Sequence, residues 1–183
     1  QFSETITGFL AGDITPGNGI VGSFVAVDGD TYTFDLTPSG QGLVTANIAA
    51  GVASDASGNG NTVATQFSRT YDSVAPTVTM SSAATDPTNT SPIPVTVQFN
   101  ETVTGFLAGD ITPGNGVVGN FVAVDGDTYT FDLTPVGQGL VTADIAAGVA
   151  SDLAGNGNTA ATQFSRTYTL TTVYNLFLPL ILR

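Results

Sequence analysis

The chain of 183 residues contains no cysteine, no histidine and no lysine. Without cysteine it forms no disulfide and no thiolate metal site, and without histidine it lacks the usual general base near neutral pH. The absence of lysine excludes Schiff-base chemistry, and the serines have no histidine or lysine to activate them. We therefore predict that the protein is not an enzyme.

Positive charge is also scarce. The formal net charge is −12, and the cations are Arg69, Arg166 and Arg183. Nucleic acid phosphates and anionic membrane surfaces repel such a chain, so neither is an expected partner. Hydrophobic residues make up 42% of the sequence, which argues against disorder. Because Gln1 is not an initiator methionine, we expect a processed product or a fragment.

What the sequence does contain is a long internal repeat. The stretch from Gln1 to Tyr71 returns from Gln98 to Tyr168 without a gap. Nine aligned positions differ, and in the first copy they are Ser3, Ile6, Ile20, Ser23, Ser39, Asn47, Ala56, Ser57 and Val63. The two copies are therefore expected to share one fold.

Each copy has the pattern of short strands joined by turns. In the first copy, strands are predicted at Phe24–Val27, Thr31–Leu36, Leu43–Ile48 and Thr65–Tyr71. Asp28-Gly29 between the first two indicates a hairpin. Tyr32, Phe34 and Leu36 alternate with polar residues, as a half-buried strand requires. The fold class is predicted to be all-β, with β-sandwich domains.

Residues 72–97, which lie between the copies, add two predicted strands, Thr77–Met80 and Pro92–Phe99. Residues 72–168 are therefore expected to form a complete sandwich of about seven strands. Residues 1–71 lack both of those N-terminal strands and keep only Phe2 from the second one. The first domain is thus predicted to have an unpaired acceptor edge, with Phe2 beside it.

The last segment, residues 169–183 and here called the tail, is the most apolar part of the chain. One face of an extended strand would carry Tyr174, Leu176, Leu178, Leu180 and Leu182. We predict that the tail is a donor strand completing the first domain of another molecule, which makes a head-to-tail homopolymer. Its polymerisation residues are Tyr174, Leu176, Phe177, Leu178, Leu180, Ile181 and Leu182.

Three alternatives for the tail remain open. It could fold back on its own second domain, although that domain is predicted to have a full set of strands. It could anchor the chain in a membrane, but its apolar run is about ten residues against roughly 20 for a spanning helix, and Pro179 interrupts it. The chain could also be a fragment of a longer tandem array whose upstream part completes the first domain.

Three stretches carry a family resemblance. AGVASDASGNGNT (Ala50–Thr62) and AGVASDLAGNGNT (Ala147–Thr159), together with RTYDSVAPTV (Arg69–Val78), resemble bacterial Ig-like tandem repeats of surface adhesins and exported proteins. The resemblance implies two Ig-like sandwiches, an extracellular or cell-surface location and a structural or adhesive role. A structural filament subunit is the predicted function, and spacer modules in a fragment of a cell-surface adhesin are the alternative.

Calcium is the one cofactor that the sequence suggests. The glycine-rich loops place oxygen ligands at Asp55, Asn59 and Asn61 and at Asp152, Asn156 and Asn158, and Asp72 could add a carboxylate at the junction. The resemblance supports this prediction, because acidic loops at domain junctions of some Ig-like adhesin repeats bind calcium. The alternative is that these Asp and Asn residues only shape turns.

Three other motifs have ordinary explanations. Asp28 with Asp30, and Asp125 with Asp127, could be paired carboxylates for glycoside hydrolysis, but their hairpin context favours turn chemistry. Pro-Gly-Asn-Gly at Pro16–Gly19 is a turn and lacks the lysine of a phosphate-binding loop. Asn89 and Asn100 match the glycosylation pattern N-x-[ST], which is a weak signal.

Overall fold

The computed structural model describes residues 1–170 and has two compact units, Gln1–Ser73 and the chain from Val74 onward. Apart from two short 3-10 turns at Ala11–Asp13 and Ala108–Asp110, the regular elements of both are β-strands. The predicted all-β class is therefore confirmed. The tail beyond Leu170, with its predicted donor-strand residues, lies outside the described residues.

The first domain contains five strands. They are β1 (Ile14–Gly17), β2 (Gly19–Ala26), β3 (Tyr32–Pro38), β4 (Gly42–Ile48) and β5 (Phe67–Tyr71). One sheet has the order β1-β4-β5, and the other is the β2-β3 hairpin. All of these pairs are antiparallel.

The second domain contains seven strands, as the sequence predicts. They are β6 (Val78–Ser81), β7 (Ile93–Phe99), β8 (Ile111–Gly114), β9 (Gly116–Ala123), β10 (Thr128–Pro135), β11 (Gly139–Ile145) and β12 (Phe164–Tyr168). One sheet has the order β6-β7-β10-β9 and the other β12-β11-β8. β8 to β12 repeat β1 to β5, whereas β6 and β7 belong to the second domain alone.

The strands β1 and β8 were not predicted, because Pro16-Gly17-Asn18-Gly19 is typical of a turn. Asn18 is indeed a corner, with φ of 49°, where the chain leaves β1 and enters β2 in the other sheet. Asn is one of the few residues that tolerate this left-handed conformation. Its side-chain Nδ2 donates a hydrogen bond to Gly40 O at 2.9 Å, which fixes the corner against the turn between β3 and β4.

The core of the second domain is centred on β7. Its alternating apolar residues Ile93, Val95 and Val97 are no more than 1% exposed. In the β7–β10 ladder they lie opposite Leu133, Phe131 and Tyr129 respectively, which are also buried. The alternation predicted for this strand therefore places one complete apolar face in the interior.

The first domain has a smaller core. Ile6, Phe9, Ile14, Ala46 and Ala53 form its buried cluster. Tyr32, Phe34 and Leu36, which correspond to the buried residues of β10, are only half-buried. Since the two sequences are identical here, the difference comes from the strand that covers β10 and does not cover β3 among the described residues.

Hydrogen exchange can measure this difference with an internal control. Val27–Pro38 and Val124–Pro135 have the same sequence, so their intrinsic amide exchange rates are equal. In a chain ending at Thr172, which keeps every described residue, we expect a peptide common to both copies to show two mass envelopes. The faster one comes from β3, whose edge lacks hydrogen-bonded protection. A single slow envelope would contradict the open edge.

Candidate functional site

The principal candidate site is the unpaired edge of β3. β10 pairs with β9 on one side and with β7 on the other. β3 pairs with β2, but within residues 1–170 no strand lies along its other edge. Its outward N–H and C=O groups there are available to an added strand, which is the requirement for β-augmentation.

Beside this edge lies an apolar cavity of about 430 Å³. We call it the open groove, and its principal lining residues are Phe34, Leu36, Val44, Phe67, Arg69 and Tyr71. In the second domain Phe164, the counterpart of Phe67, is 4% exposed, whereas Phe67 is 47% exposed. The open groove therefore corresponds to a part of the second domain that is filled by protein.

Phe2, the predicted acceptor-edge residue, lies at one end of the β3 edge. Its N–H donates to Asp30 O at 2.9 Å, as the N–H of Phe99 donates to Asp127 O. Its ring meets Phe9 and Tyr32 edge-on, with centroid distances of 5.1 and 5.9 Å. Phe2 therefore occupies the place that Phe99 has at the end of β7, and the vacant part of the edge begins next to it.

A second cavity, of about 470 Å³, lies at the end of the first domain near Phe2. Ile48, Asn61, Thr62 and Val63 are among its lining residues. In the second domain the N–H of Thr159, the counterpart of Thr62, donates to Pro76 O at 2.8 Å. Pro76, which precedes β6, is fully buried there. This cavity thus marks the position of the segment before β6, and the open groove marks the position of β7 and its approach.

Of the predicted calcium ligands of the first loop, Asp55 and Asn59 bond to each other, and Asn61 bonds to backbone groups. Asp55 Oδ1 accepts the backbone N–H groups of Ser57 and Asn59, each at 2.8 Å, and its Oδ2 accepts Asn59 Nδ2 at 2.8 Å. Asn61 Oδ1 accepts the N–H of Ala53 at 2.9 Å, while its Nδ2 donates to Ala49 O and Thr62 O at 2.8 Å.

The second loop repeats this arrangement with deeper burial. Asp152 accepts two backbone N–H groups and Asn156 Nδ2, all at 2.8 Å. Asn158 is 2% exposed and bonds to Ala150 N, Ala146 O and Thr159 O. The amide of Asn156 lowers the pKa of Asp152, as the amide of Asn59 lowers that of Asp55. The stability that these loop bonds contribute is therefore fully present at pH values above the ordinary carboxyl pKa. It is lost as the pH falls through the lowered pKa of the folded protein.

In both loops the aspartate carboxylates already accept hydrogen bonds. Ca²⁺ requires several oxygens directed at one point. The side-chain oxygens of Asp55, Asn61, Asp152 and Asn158 accept hydrogen bonds from N–H groups of their own loops. Asp72 lies at the end of the first unit, where its carboxylate accepts Gln41 Nε2 at 3.3 Å. These hydrogen bonds are the ones that the turn alternative expects, and calcium binding at these seven residues stays a prediction.

The paired carboxylates of the hairpins also shape turns. Asp28 Oδ1 accepts the N–H groups of Asp30 and Thr31 at 3.1 and 2.8 Å, and these bonds lower the Asp28 pKa. Asp125 makes the same two bonds to Asp127 and Thr128, which lower its pKa in the same way. A carboxyl group with a lowered pKa remains ionised and is unsuited to be the general acid of a glycosidase.

The two glycosylation candidates lie on the surface of the second domain. Asn89 is exposed in the segment before β7. Asn100 is exposed just after β7, and its Oδ1 accepts the N–H of Thr77 at 2.6 Å next to the start of β6. Glycosylation of either residue stays a prediction.

Comparison with known proteins bears on both domains. A family model described as a bacterial Ig-like domain matches residues 1–71 and again residues 72–169. These matches confirm the resemblance seen in the AGVASD and RTYDS stretches and the two tandem Ig-like sandwiches. Domains of this kind are typical of extracellular and surface proteins, and they are typically non-enzymatic structural modules.

Similarity to a solved structure is weak. The structure of InvD from Yersinia pseudotuberculosis is similar at 16% sequence identity with a TM-score of 0.38, covering 97% of this chain and 52% of that one. The chain thus spans about half the length of that protein. Among curated protein sequences, none matches significantly. The described part of the chain has no helix with the length and apolar character needed to cross a membrane.

The buried amide of Asn158 gives a stability prediction. Replacing Asn158 by Ala leaves the Ala150 N–H and two carbonyl groups without partners inside the second domain. We expect Asn158→Ala to reduce the free energy of unfolding by about 1–3 kcal/mol. Thermal or urea unfolding measures the change, and Asn59→Ala, which alters an exposed loop residue, is the control. Equal effects of the two substitutions would contradict a structural role for the buried amide.

The loop geometry also gives a calcium prediction. If the loop residues only shape turns, we expect the melting temperature of the full chain to be the same with millimolar Ca²⁺ and with excess chelator. Scanning calorimetry under the two conditions is the measurement. A higher melting temperature with Ca²⁺, abolished by Asp152→Asn, would show that the loops rearrange to bind the ion.

Proposed function

Because both of its domains belong to the bacterial Ig-like family, we propose that this chain is a structural subunit of an extracellular, cell-surface filament. In the proposed filament the tail of one subunit completes the first domain of the next by donor-strand complementation. The observation that carries the proposal is the open edge of β3 beside an apolar groove. The identical strand β10 has that edge covered by β7.

The groove supports an apolar strand as its occupant. In the second domain the equivalent surface is covered by β7, whose inward residues Ile93, Val95 and Val97 are almost completely buried. A strand added to β3 would complete the cover of Phe34, Leu36 and Phe67. It would also bond to the outward backbone groups of β3, which no described residue does.

The tail has the matching composition. Its alternating residues Tyr174, Leu176, Leu178, Leu180 and Leu182 are large and apolar, as the inward face of such a strand must be. Burial of each contributes roughly 1.5–3 kcal/mol, so five give on the order of 10 kcal/mol before the cost of ordering. That gross gain is comparable with the stability of a whole domain.

Donation between molecules leads to a filament because donor and acceptor are different surfaces. A head-to-tail contact of this kind repeats indefinitely unless its rotation closes a ring. Each added subunit presents a new acceptor or a new donor at the growing end. In a chain without cysteine or lysine, mechanical strength would then depend on buried strands and their ladder hydrogen bonds.

Assembly of the full chain tests the proposal directly. We expect purified full-length protein to form long uniform fibres in electron micrographs and to elute early in size-exclusion chromatography. A chain ending at Thr172 should remain monomeric, because it keeps the acceptor and loses the donor. On assembly, the fast hydrogen-exchange envelope from β3 should merge with the slow one from β10.

Two adjacent tail residues supply a matched pair of variants. Leu180→Asn places an amide on the predicted inward face and should reduce polymerisation strongly, whereas Ile181→Asn places it on the outward face and should reduce it much less. Identical monomers from the full and shortened chains would refute the filament. Short rods of beads would instead favour the adhesin-spacer alternative, and a monomer with a protected β3 would indicate that the tail folds back.

A further inference from the structure

The open groove contains one cation, Arg69, whose counterpart in the second domain shows what such a residue binds. Both guanidinium groups lie over a preceding aromatic ring, Arg69 Cζ 5.1 Å from the Phe67 centroid and Arg166 Cζ 4.9 Å from the Phe164 centroid. Both donate from Nη1 to the carbonyl oxygen of the residue before them, at 2.8 Å. The two side chains are therefore held in the same way.

The partners of the remaining donors, Nε and Nη2, differ between the two domains. Arg166 Nε donates to Ala84 O at 3.0 Å, and its Nη2 donates to Ser82 O at 3.2 Å. These carbonyls belong to the segment that connects β6 to β7. In the first domain, no carbonyl of the described residues accepts from Arg69 Nε or Nη2, and Arg69 is exposed where Arg166 is half-buried.

The same connecting segment lies along the outer edge of β12. The N–H of Thr167 donates to Asp86 Oδ1 at 2.8 Å, and Thr88 N–H donates to Thr167 O at 2.9 Å. Thr169 N–H in turn donates to Thr88 O at 2.8 Å. These bonds hold the segment in place where its carbonyls reach Arg166. The edge of β5 at Thr70 is the corresponding position in the first domain.

We infer, on the basis of the proposed function, that Arg69 is the backbone clamp of the acceptor. Its Nε and Nη2 bind two carbonyl oxygens in the first part of the donated tail, before Tyr174, where that part passes β5. The stretch from Ser82 to Val97 and the stretch from Thr169 to Arg183 have nearly the same length. The tail can therefore follow the whole path from the clamp to the edge of β3.

The fork geometry of arginine explains why this residue can bind two backbone carbonyl oxygens. Its planar guanidinium offers several N–H donors in fixed directions, so one group can bind two carbonyls, whereas a lysine ammonium is a single point of charge. The clamp recognises backbone and therefore any sequence that follows the path. Side-chain selection is left to the apolar groove.

Binding of a tail peptide tests the clamp. The acceptor is the chain ending at Thr172, the ligand is a synthetic peptide of residues 169–183, and isothermal titration calorimetry measures the dissociation constant. We expect Arg69→Ala to weaken binding by about 10-fold to 100-fold through the loss of two charge-assisted hydrogen bonds. Arg69→Lys should lose most of that affinity, and Arg166→Ala should leave peptide binding unchanged.

Melting curves separate a binding role from a folding role. Without peptide, Arg69→Ala should lower the melting temperature of the first domain only slightly, since within residues 1–170 it removes one hydrogen bond to the neighbouring Ser68 and the contact with the exposed Phe67 ring. Arg166→Ala should lower the melting temperature of the second domain, because it removes bonds that hold the segment between β6 and β7. A loss of first-domain stability from Arg69→Ala without peptide as large as the loss of second-domain stability from Arg166→Ala would overturn the clamp.

The outcomes distinguish this inference from the proposed function. No peptide binding by the unmodified acceptor refutes donor-strand complementation itself. Tight binding that Arg69→Ala leaves unchanged refutes the clamp alone. A peptide amidated at Arg183 should bind as well as the free acid. If amidation abolishes the effect of Arg69→Ala, the arginine recognises a terminal carboxylate and not the backbone.

Discussion

The structure depends on one constraint, that a strand at the centre of a domain needs a hydrogen-bonded neighbour along both of its edges. In the second domain β7 pairs with the second edge of β10. The same strand supplies the inward residues Ile93, Val95 and Val97 that close the core. In the first domain β3 has the same sequence and one paired side. Ladder and core are therefore completed together by a single segment or left incomplete together.

Because the two copies are nearly identical in sequence, the structural differences between the two domains are easy to locate. The loops around Asp55 and Asp152, the hairpins at Asp28 and Asp125 and the corners at Asn18 and Asn115 have matching conformations in both domains. These features stabilise each domain from within. The contrast is confined to the side covered by β6, β7 and their connection. The proposed role in assembly therefore rests on that side and not on the acidic turns.

Much of the fold could be predicted from the sequence, because alternation along a strand encodes which face is buried. That principle located β3, β4 and β7, and the repeat offset located their counterparts. It missed β1 and β8, since Pro-Gly-Asn-Gly is typical of a turn and the change of sheet at Asn18 depends on tertiary contacts with Gly40. The missing edge was predicted from comparison of the copies. The role of Arg166 could not be predicted, because its partners are the backbone carbonyl oxygens of Ser82 and Ala84. These residues are distant in sequence, and a backbone carbonyl leaves no signal in a sequence pattern.

The duplicated surface has a further consequence for how the chain reaches its native state. The segment 72–97 sits on a surface whose near-duplicate is present in the first domain of the same chain, with few differences between them. During folding, the two domains therefore compete for the segment 72–97. The contacts that this segment forms are almost the same in either domain. Chain connectivity must decide which domain binds the segment, since loop-closure entropy favours the domain whose pairing strand is nearer along the polypeptide. Tandem duplication thus makes the order in which the two halves emerge and fold a determinant of which isomer accumulates.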